Sequence, residues 1–365
     1  MKKIGIITYH RAYNYGSVLQ AYALNKYLRE SGFFVETIDY RNQSQKDIYS
    51  LFQKLTGIKS ILQNIYSLIY ISKLLKRKKR FDLFIKEFIP LTKREFYSEH
   101  ELLLSNLNFD IYICGSDQIW NNSLPDFDIA YLLSFVSDKS KCIAYAPSIG
   151  KDSLTEKEII FFHDYVEKFR ALSIREKQGM IALNLALELA VDPTLLIEES
   201  EWNDITSEQL VKGKYIFCYF LGNVKEMRKF AKKMHEQLKL PLVVIISSSR
   251  DIFVGNRYKI YDAGPSEFLS LIKNSEYVCS NSYHALLFSV IYKKKFWSFI
   301  NNKKGLNCNS RLVNIAELLG LEDRVININS MNVDLDKEID YKTVNSKLKK
   351  LVESSKRYLI NSITK

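Results

Sequence analysis

The stretch Gly264–Ile300 restricts the fold more than any other part of the sequence, because helical and strand-like apolar patterns alternate within it. A helix is predicted to start at Gly264, since Pro265 carries the φ angle of a first helical position. The apolar segment Glu276–Ser280 then predicts a buried strand, and a second helix and the strand Phe296–Ile300 follow it. This order, with short joints, is typical of an open parallel sheet covered by helices.

One imidazole, that of His284, lies at the predicted strand-to-helix turn, beside Asn281 and Ser282. In an open parallel sheet, ligands bind at the carboxyl ends of the strands, where helix N-termini present N–H groups. A histidine at this position can face an anion and can exchange protons near neutral pH. The alternative is a structural role as a cap or a half-buried side chain, and this stretch alone leaves both interpretations open.

The chain has 365 residues, of which 47% are hydrophobic, so two domains with separate cores are expected. The apolar segment after the first residues is too short for a signal peptide, and no apolar run is long enough to span a membrane. The five cysteines are scattered and form no C-x-x-C pair. These features indicate a reduced, cytoplasmic protein without a structural zinc site.

The formal net charge of +12 is compatible with nucleic acid, an anionic membrane surface or anionic substrates as partners. No nucleic-acid-binding module is recognisable, which argues against the first class. Residues 45–88 have a helical pattern, in which apolar residues from Ile61 onward precede the basic run Lys76–Arg80. Two interpretations stay open: peripheral contact with an anionic membrane through residues 61–80, or a packed helical hairpin with a solvated basic end.

Strands and helices alternate in two series that are separated near residues 196–200, and the first series includes a predicted strand over Ala130–Phe135. We therefore expect an α/β protein with two Rossmann-like domains that face a cleft, as in the GT-B architecture. The predicted divisions are an N-terminal domain at 1–197 with a helical insertion at about 45–88, a C-terminal domain at 198–335, and a long C-terminal helix at 336–365 that packs back on the first domain.

Polar clusters follow four of the predicted strands: Tyr13–Gly16, Gly115–Asp117, Arg175 and Asn281–His284. The first of these loops lacks the G-x-G-x-x-G pattern, so no dinucleotide-binding fingerprint is present. The Arg175 guanidinium suits a carboxylate or phosphate in two-point fashion. The alternative for Arg175 is a surface ion pair with Glu176 or Glu188.

Asp117 can act as a general base or bind sugar hydroxyls, and its alternative is a turn or cap residue. Asp126–Asp128 and Asp334–Asp336 both read D-x-D, a spacing that some glycosyltransferases use to hold a metal and a nucleotide diphosphate. Two equal matches in one chain give the pattern little specificity. The chain contains no Walker A motif, H-x-x-x-H or G-x-S-x-G, which disfavours a P-loop enzyme and a serine hydrolase.

Eight segments in this order resemble the polysaccharide pyruvyl transferase family. They are IITYHRAYNYGSVLQAYAL (7–24), CGSDQIWN (114–121), YAPSIG (145–150), SIREKQG (173–179), VDPTLL (191–196), YFLGN (219–223), GPSEFLSLI (264–272) and SNSYHALLFS (280–289). Each segment alone is a weak signal, and the specificity comes from their number and order.

The resemblance implies a transferase that moves a pyruvyl unit from phosphoenolpyruvate to a sugar, usually as a ketal on two hydroxyls. The acceptor would be a polysaccharide or its lipid-linked precursor, in exopolysaccharide, capsule or cell-wall assembly. The family's functional Arg and His map onto Arg175 and His284, as donor clamp and proton-transfer group. The reaction implies no cofactor and needs no metal.

The resemblance places the acceptor on the first domain and the donor on the second. The candidate binding residues are Asn14, Tyr15, Gly16, Gly115, Ser116 and Asp117 in the first, with Asn281, Ser282 and Arg311 in the second. Two departures from the family pattern shift phosphate binding toward Arg175 and backbone N–H groups. Asn281 stands where many relatives carry an acid, and Ser282 stands where some carry arginine.

Two alternative functions stay open at this point. One is a GT-B glycosyltransferase with a nucleotide-sugar donor, and the other is a non-catalytic glycan-binding or scaffold protein that keeps the fold. The presence of both Arg175 and His284 argues against the second. The expected location is the cytoplasm, with peripheral contact at the inner membrane face as an open addition.

Overall fold

In a computed structural model of the protein, residues 1–222, 225–247, 258–300, 310–327 and 333–365 are described. The chain divides into two compact units. The first comprises Met1–Ser50, Ile85–Ile197 and Leu348–Lys365, and the second comprises Leu51–Phe84 and Glu198–Lys347. Each unit contains one parallel sheet with helices, so the predicted α/β class with two Rossmann-like domains is confirmed.

The first unit is built on a seven-stranded parallel sheet with the order β3-β2-β1-β4-β5-β6-β7. Its strands are β1 (Lys3–Ile7), β2 (Phe34–Tyr40), β3 (Leu91–Phe96), β4 (Ile111–Cys114), β5 (Cys142–Ala144), β6 (Ala171–Ile174) and β7 (Glu188–Leu189). From β1 the chain adds strands on one side, and from β4 it adds them on the other. The switch point of this sheet, where ligands bind in doubly wound folds, therefore lies between β1 and β4.

The second unit contains a parallel sheet of six strands in the order β10-β9-β8-β11-β12-β13. These strands are β8 (Ile216–Tyr219), β9 (Leu242–Ile245), β10 (Tyr258–Ile260), β11 (Tyr277–Ser280), β12 (Lys295–Ile300) and β13 (Val325–Asn327). By the same winding rule, its switch point lies between β8 and β11. The strand orders thus identify two groups of loops, one at the switch point of each sheet, as candidate ligand-binding positions.

Helices cover the sheets. Those of the first unit are α1 (Tyr15–Glu30), α2 (Gln43–Ile48), α5 (Glu99–Leu103), α6 (Glu156–Val166) and α7 (Lys177–Leu183). Those of the second are α3 (Ile58–Ile69), α8 (Glu199–Asp204), α9 (Lys225–Leu238), α10 (Pro265–Lys273), α11 (Tyr283–Ile291) and α12 (Ser310–Leu319). Two helices contain residues of both units, α4 (Ile71–Phe88) and α13 (Tyr341–Thr364). None of the helices in the described part of the chain has the length and apolar character that crossing a membrane requires.

The strand predicted over Ala130–Phe135 is wrong, because the structure has a 3-10 helix at Ile129–Leu132. The Asp128 side chain accepts a hydrogen bond from the Ala130 N–H at 2.9 Å and caps this helix. Leu133 follows with a left-handed φ of 53°. A short, fully buried apolar run has the same pattern in a strand and in a helical turn, so periodicity could not separate them.

The helical segment predicted for the first domain contributes residues 51–84 to the second unit instead. The Tyr70 ring stacks on Tyr261 with 4.5 Å between centroids. Arg80 pairs with Asp262 at 3.2 Å and with Glu267 at 2.9 Å. A sequence insertion between two strands of one sheet therefore packs on elements almost two hundred residues later in the chain.

The end of α13 packs on the first unit. The Tyr358 hydroxyl donates to the Ala144 carbonyl oxygen at 2.9 Å, and the Val191 N–H donates to Ser355 Oγ at 3.0 Å. Arg170 Nε donates to the Ser362 carbonyl oxygen at 2.7 Å. Leu359 and Ile363 are fully buried. These contacts attach the C-terminal turns of the chain to the sheet of the first unit.

Candidate active site

The loop after β1 leads into helix α1, and the candidates Asn14, Tyr15 and Gly16 lie at its start. Asn14 Oδ1 accepts hydrogen bonds from the backbone N–H of Gly16 at 3.0 Å and of Ser17 at 3.4 Å. Asn14 is therefore the N-cap of α1, and Tyr15 and Gly16 form its buried first turn. The three candidates therefore build a helix N-terminus at the switch point, where the helix dipole favours an anion.

Asp117 lies in the turn after β4 in a left-handed conformation, with a φ of 73°. The Ser17 hydroxyl donates a hydrogen bond to its carboxylate, and its carbonyl oxygen accepts one from the Ser148 N–H at 2.8 Å. A left-handed conformation costs a non-glycine residue about 1–2 kcal/mol and persists where surrounding contacts enforce it. Such conformations concentrate at ligand sites, which keeps Asp117 as the principal carboxylate candidate of the first unit.

The two residues before Asp117 hold its turn against the β1 loop. A Cβ atom added to Gly115 would lie 3.1 Å from the Thr8 Cβ, a tighter contact than most side chains make, so glycine favours this close approach of the chain to Thr8. Thr8 Oγ1 donates to the Ser116 carbonyl oxygen at 3.0 Å, and Ser116 is fully buried. Gly115 and Ser116 thus shape the turn through close packing.

Arg175 follows β6 and is buried, with 3% of its surface exposed. Its Nη1 lies 2.5 Å from Asp192 Oδ2, and its Nη2 lies 4.0 Å from Asp117 Oδ1. Asp192 is fully buried and also accepts from Ser116 Oγ at 3.2 Å and from the Thr194 hydroxyl at 2.8 Å. The Arg175 charge is therefore compensated inside the protein, by one carboxylate directly and by Asp117 at longer range.

The sequence did not identify Asp192 as a site residue, although it belongs to the VDPTLL segment. An ion pair of Arg175 with Glu176 or Glu188 was the alternative, and the structure places the pair with Asp192 instead. Glu176 is fully buried and accepts from Ser148 Oγ at 2.8 Å and the Ile149 N–H at 3.1 Å. Through its contacts with Arg175 and Ser116, the buried Asp192 carboxylate thus links the end of β6 to the turn after β4.

A second charged group lies beside the same switch point and was not predicted. His10 is fully buried, with Nε2 at 3.0 Å from Asp39 Oδ1 and Nδ1 at 3.1 Å from the Thr8 carbonyl oxygen. Arg11 binds the same carboxylate with two nitrogens, Nε at 2.8 Å and Nη2 at 2.5 Å. The contacts of His10 and Arg11 with Asp39 join the ends of β1 and β2. They hold the start of the loop that runs from β1 to Asn14.

Acidification is expected to lower the free energy of unfolding through Asp39. Burial alone would raise the pKa of Asp39, but hydrogen bonds from Arg11 and His10, with their charges, outweigh it and hold the pKa well below its usual range. A carboxyl whose pKa is lower in the folded protein stabilises the fold at pH values above its unfolded-state pKa of ~4. This stabilisation, of order 2 kcal/mol, is lost progressively as the pH falls from that value toward the folded-state pKa. Urea unfolding between about pH 6 and pH 3 measures the loss, and Asp39→Asn should reduce the slope of the free energy of unfolding against pH. Equal slopes in the two proteins would contradict this assignment.

In the second unit, His284 lies in the first turn of α11, at the carboxyl end of β11. Ser282 is the N-cap of this helix, and its Oγ accepts from the Ala285 N–H at 3.4 Å. The His284 ring meets the Tyr283 ring edge-on, with 5.3 Å between centroids, and is largely buried. Arg311, from the start of α12, lies over the Tyr283 ring at 5.9 Å. Ser282 and His284 therefore share one turn, and Arg311 lies beside the Tyr283 ring between them in the sequence.

Asn281 has a defined structural role. Its Oδ1 accepts from the Leu221 N–H at 2.8 Å, and its Nδ2 donates to the Leu221 carbonyl oxygen at 2.9 Å. The amide thus pairs with the backbone after β8 as a neighbouring strand would. An aspartate at this position could accept but not donate, so only the amide satisfies both backbone groups.

Both D-x-D sequences serve local structure. Asp128 caps the 3-10 helix, and Asp334 Oδ1 accepts from the Asp336 N–H at 3.0 Å. Asp126 is buried, which raises its pKa, and the nearby charge of Asp117 raises it further. Over the described ranges, no three His, Cys, Asp or Glu side chains are grouped as a metal site would require.

Comparison with solved structures shows the fold. The Methanocaldococcus jannaschii UDP-GlcNAc 2-epimerase, in complex with UDP-GlcNAc and UDP, is 12% identical, with a TM-score of 0.50 over 100% of this chain and 99% of its own. A UDP-N-acetylglucosamine 2-epimerase from Listeria monocytogenes is 8% identical, with a TM-score of 0.52 over 98% and 90%. The E. coli trehalose-phosphate synthase bound with UDP-2-fluoro glucose is 9% identical, with a TM-score of 0.50 over 99% and 98%. The chain therefore has the GT-B-type fold that was predicted.

The sequence comparison is more specific. No curated protein matches this chain. A model of one protein family, described as polysaccharide pyruvyl transferase, matches residues 14–303. The matched range begins at the N-cap of α1, includes Asp117, Arg175 and His284, and covers well over half of the chain. The chain therefore belongs to the polysaccharide pyruvyl transferase family.

Proposed function

We propose that this protein transfers the pyruvyl group of phosphoenolpyruvate to a sugar of a polysaccharide or of its lipid-linked precursor and forms a pyruvate ketal. The observation that carries the proposal is the family match over residues 14–303, which indicates a transferase. The position of His284 at a helix N-terminus beside a sheet switch point supports it. Exopolysaccharide, capsule or cell-wall assembly is the proposed setting.

The proposed reaction defines what the site must supply. Two sugar hydroxyl oxygens bond to C2 of phosphoenolpyruvate, the bond from C2 to the phosphate oxygen breaks, and C3 gains one proton. The two hydroxyl protons balance the proton added to C3 and the proton taken up by the departing phosphate. The site therefore needs an acid for C3, a base for the hydroxyls, and cations or N–H groups for the carboxylate and the phosphate.

We assign the proton transfer to His284, since imidazole is the side chain that most often serves as a general acid or base. The N-terminus of α11 lies beside it, and the positive end of the helix dipole suits the phosphate or the carboxylate of the donor. Arg311 supplies a cation close to this turn, since its guanidinium lies 5.9 Å from the centre of the Tyr283 ring. Ser282, which stands where some relatives carry arginine, contributes a helix cap instead of a charge.

On the first unit, we assign the acceptor hydroxyls to Asp117 and the N-terminus of α1. Asp117 is the carboxylate at the switch point, and the Ser17 hydroxyl orients it. The donor-clamp role expected for Arg175 fits its surroundings less well, because Asp192 already occupies its guanidinium at 2.5 Å. We propose that Arg175 is a positioning residue that holds the Asp117 turn.

A GT-B glycosyltransferase with a nucleotide-sugar donor is the second candidate function. It is favoured by one observation, namely that two of the solved structures with this fold carry UDP ligands. Those proteins are 9% and 12% identical to this chain, so their likeness concerns the fold. The family match makes pyruvyl transfer the first choice.

Ligand-induced thermal stabilisation is expected to separate the two donors. A ligand that binds only the folded protein adds RT ln(1 + [L]/Kd), which is about 2.7 kcal/mol at a hundredfold excess over Kd. Phosphoenolpyruvate should therefore raise the Tm by a few degrees, while UDP- and GDP-sugars should not. Phosphate and pyruvate, added separately, are the controls for weak anion binding. A rise with a nucleotide sugar alone would replace pyruvyl transfer by the second candidate.

We propose the cytoplasm as the location of the reaction. All four cysteines in the described ranges, Cys114, Cys142, Cys218 and Cys279, are free and buried. Cys218 and Cys279 are paired in register on neighbouring strands. Burial raises the pKa of Cys279, as does the neighbouring Cys218. Unreactive thiols in the core support a reducing compartment.

A further inference from the structure

Helix α3 has its apolar side chains on the outside. Ser60 and Ser67 are its buried residues, at 5% and 8% exposure. The apolar side chains are exposed by 46–78%, and we call them the apolar face: Leu55, Ile58, Ile61, Leu62, Ile65, Leu68 and Ile69. Apart from Leu55 they follow the i, i+3, i+4, i+7 spacing of a single helix stripe. A contiguous exposed patch of this kind marks an interaction site.

The charge around the apolar face has one sign. Residues 51–81 contain eight Lys or Arg residues and no Asp or Glu, in a chain with a net charge of +12. Within the described ranges, two acidic groups from elsewhere in the chain form ion pairs with this segment: Asp262 with Lys76 and Arg80, and Glu267 with Arg80. Even with Asp82, the next residue along α4, eight cations outnumber the nearby carboxylates and leave the surface positive.

A pocket lies at the start of α4, directly after the apolar face. Its volume is about 270 Å³, and its lining residues are Ser72, Lys73, Lys76, Lys259, Tyr261 and Asp262. Lys76 Nζ lies 2.8 Å from Asp262 Oδ2, and Lys73 Nζ lies 4.6 Å from the centre of the Tyr261 ring. Three ammonium groups around one carboxylate and a hydroxyl-bearing residue suit a phosphate group.

We propose that this surface docks on an anionic lipid bilayer. The apolar face enters the boundary between headgroups and acyl chains, as amphipathic surface helices do. Lys73, Lys76 and Lys259 bind the phosphate of a lipid headgroup in the pocket, and the other cations of residues 51–81 lie against the charged leaflet. The proposal concerns where the protein binds and does not rest on its reaction.

Charge decides between a bilayer and a second copy of the chain as the occupant. Association of two copies through this face would bring two strongly positive segments together, and like charges in contact oppose binding. An anionic bilayer offers acyl chains to the apolar face and negatively charged headgroups to the surrounding cations. The combination of an outward-facing apolar stripe and one-signed flanking charge therefore favours the membrane.

Vesicle sedimentation with the full chain tests the proposal. The protein should bind phosphatidylcholine vesicles that contain phosphatidylglycerol far more tightly than pure phosphatidylcholine vesicles. The preference should fall at about 1 M salt, where the screening length is ~3 Å. The triple substitution Ile58→Ser, Leu62→Ser, Ile69→Ser should lower the partition coefficient ~10- to 100-fold. Lys73→Gln with Lys259→Gln should lower binding to the anionic vesicles only.

A matched control uses equally exposed apolar residues elsewhere. Leu104, Ile160 and Ile181 are 70%, 61% and 80% exposed, and their triple serine substitution should leave binding within about twofold. Unchanged Tm values in both triple variants exclude a folding effect. Equal binding to neutral and anionic vesicles, or none at low salt, would overturn the proposal. Dimerisation that only the first triple variant abolishes, without vesicle binding, would assign the face to a second copy.

Discussion

Replacing His284 by Ala is expected to lower kcat/KM for phosphate release from phosphoenolpyruvate by ~10²–10⁴-fold, the range that a general acid–base group contributes. The structure places this imidazole in the first turn of α11, at the carboxyl end of β11 and beside the sheet switch point. The substitution removes the imidazole to which we assign the protonation of C3. Phosphate release is measured with a panel of acceptor saccharides.

The control for this prediction is the exposed histidine of α5. His100→Ala removes an imidazole from the first unit and should leave kcat/KM unchanged. His284→Asn keeps a polar side chain of similar reach without a group that titrates near neutral pH, so it should be as slow as the alanine variant. Turnover near the wild-type rate in either His284 variant would show that the proton comes from elsewhere.

The second large effect is on stability. Asp192→Ala is expected to reduce the free energy of unfolding by about 3–5 kcal/mol, because it leaves the buried Arg175 without its direct counter-charge. Asp192 is fully buried, Arg175 is 3% exposed, and the nearest other carboxylate to the guanidinium in the described contacts is Asp117 at 4.0 Å. Urea unfolding measures the loss, and hydrogen exchange of β4 and β6 should report it locally.

A double variant without either charge separates the loss of stability due to the unpaired Arg175 from general damage to the core. Arg175→Met with Asp192→Leu replaces both charges by apolar groups and should recover most of the stability that Asp192→Ala loses. A surface pair gives the matched control: Glu199→Ala breaks its contact with Lys293, both half-exposed, and should cost less than about 1 kcal/mol. Similar losses for Asp192→Ala and Glu199→Ala would mean that the buried pair carries no special role.

Much of the fold could be predicted because its signals are local. The strand predicted over Glu276–Ser280 is present as Tyr277–Ser280, and the helix predicted to start at Gly264 has Gly264 as its N-cap. The turn with His284 also lies where the change of period indicated. Each of these signals depends on neighbouring residues in the chain: a cap, a φ preference or a run of alternating burial.

The strands that the sequence did not reveal are short or carry charge. β3, Leu91–Phe96, contains Lys93, Arg94 and Glu95 and lies at an edge of its sheet, so it lacks a continuous apolar run. The strands β7, β10 and β13 have two or three residues each, too few for a period to be recognised. Such strands exist because a neighbouring strand pairs with them, which is a tertiary cause.

The candidate site shows the same division. The polar clusters at the ends of β4, β6 and β11 were recognised as candidates, since residues after a buried strand must face the carboxyl edge of the sheet. Their partners were not recognised. The pairing of Arg175 with Asp192, and of Asn281 with the backbone of Leu221, joins residues that only the sheet order makes neighbours.

The sequence by itself determined the α/β class, the two-domain organisation and the family, because local periodicity and the order of short motifs survive without knowledge of contacts. Only the tertiary structure decided which charges are compensated and which surfaces are left exposed. The buried pair turns Arg175 from a donor clamp into a proposed positioning residue. In the same way, the packing of Ser60 and Ser67 inward leaves the apolar face of α3 outside. Whether a side chain is buried depends on the residues that pack against it. In a parallel sheet, these residues come from distant parts of the chain.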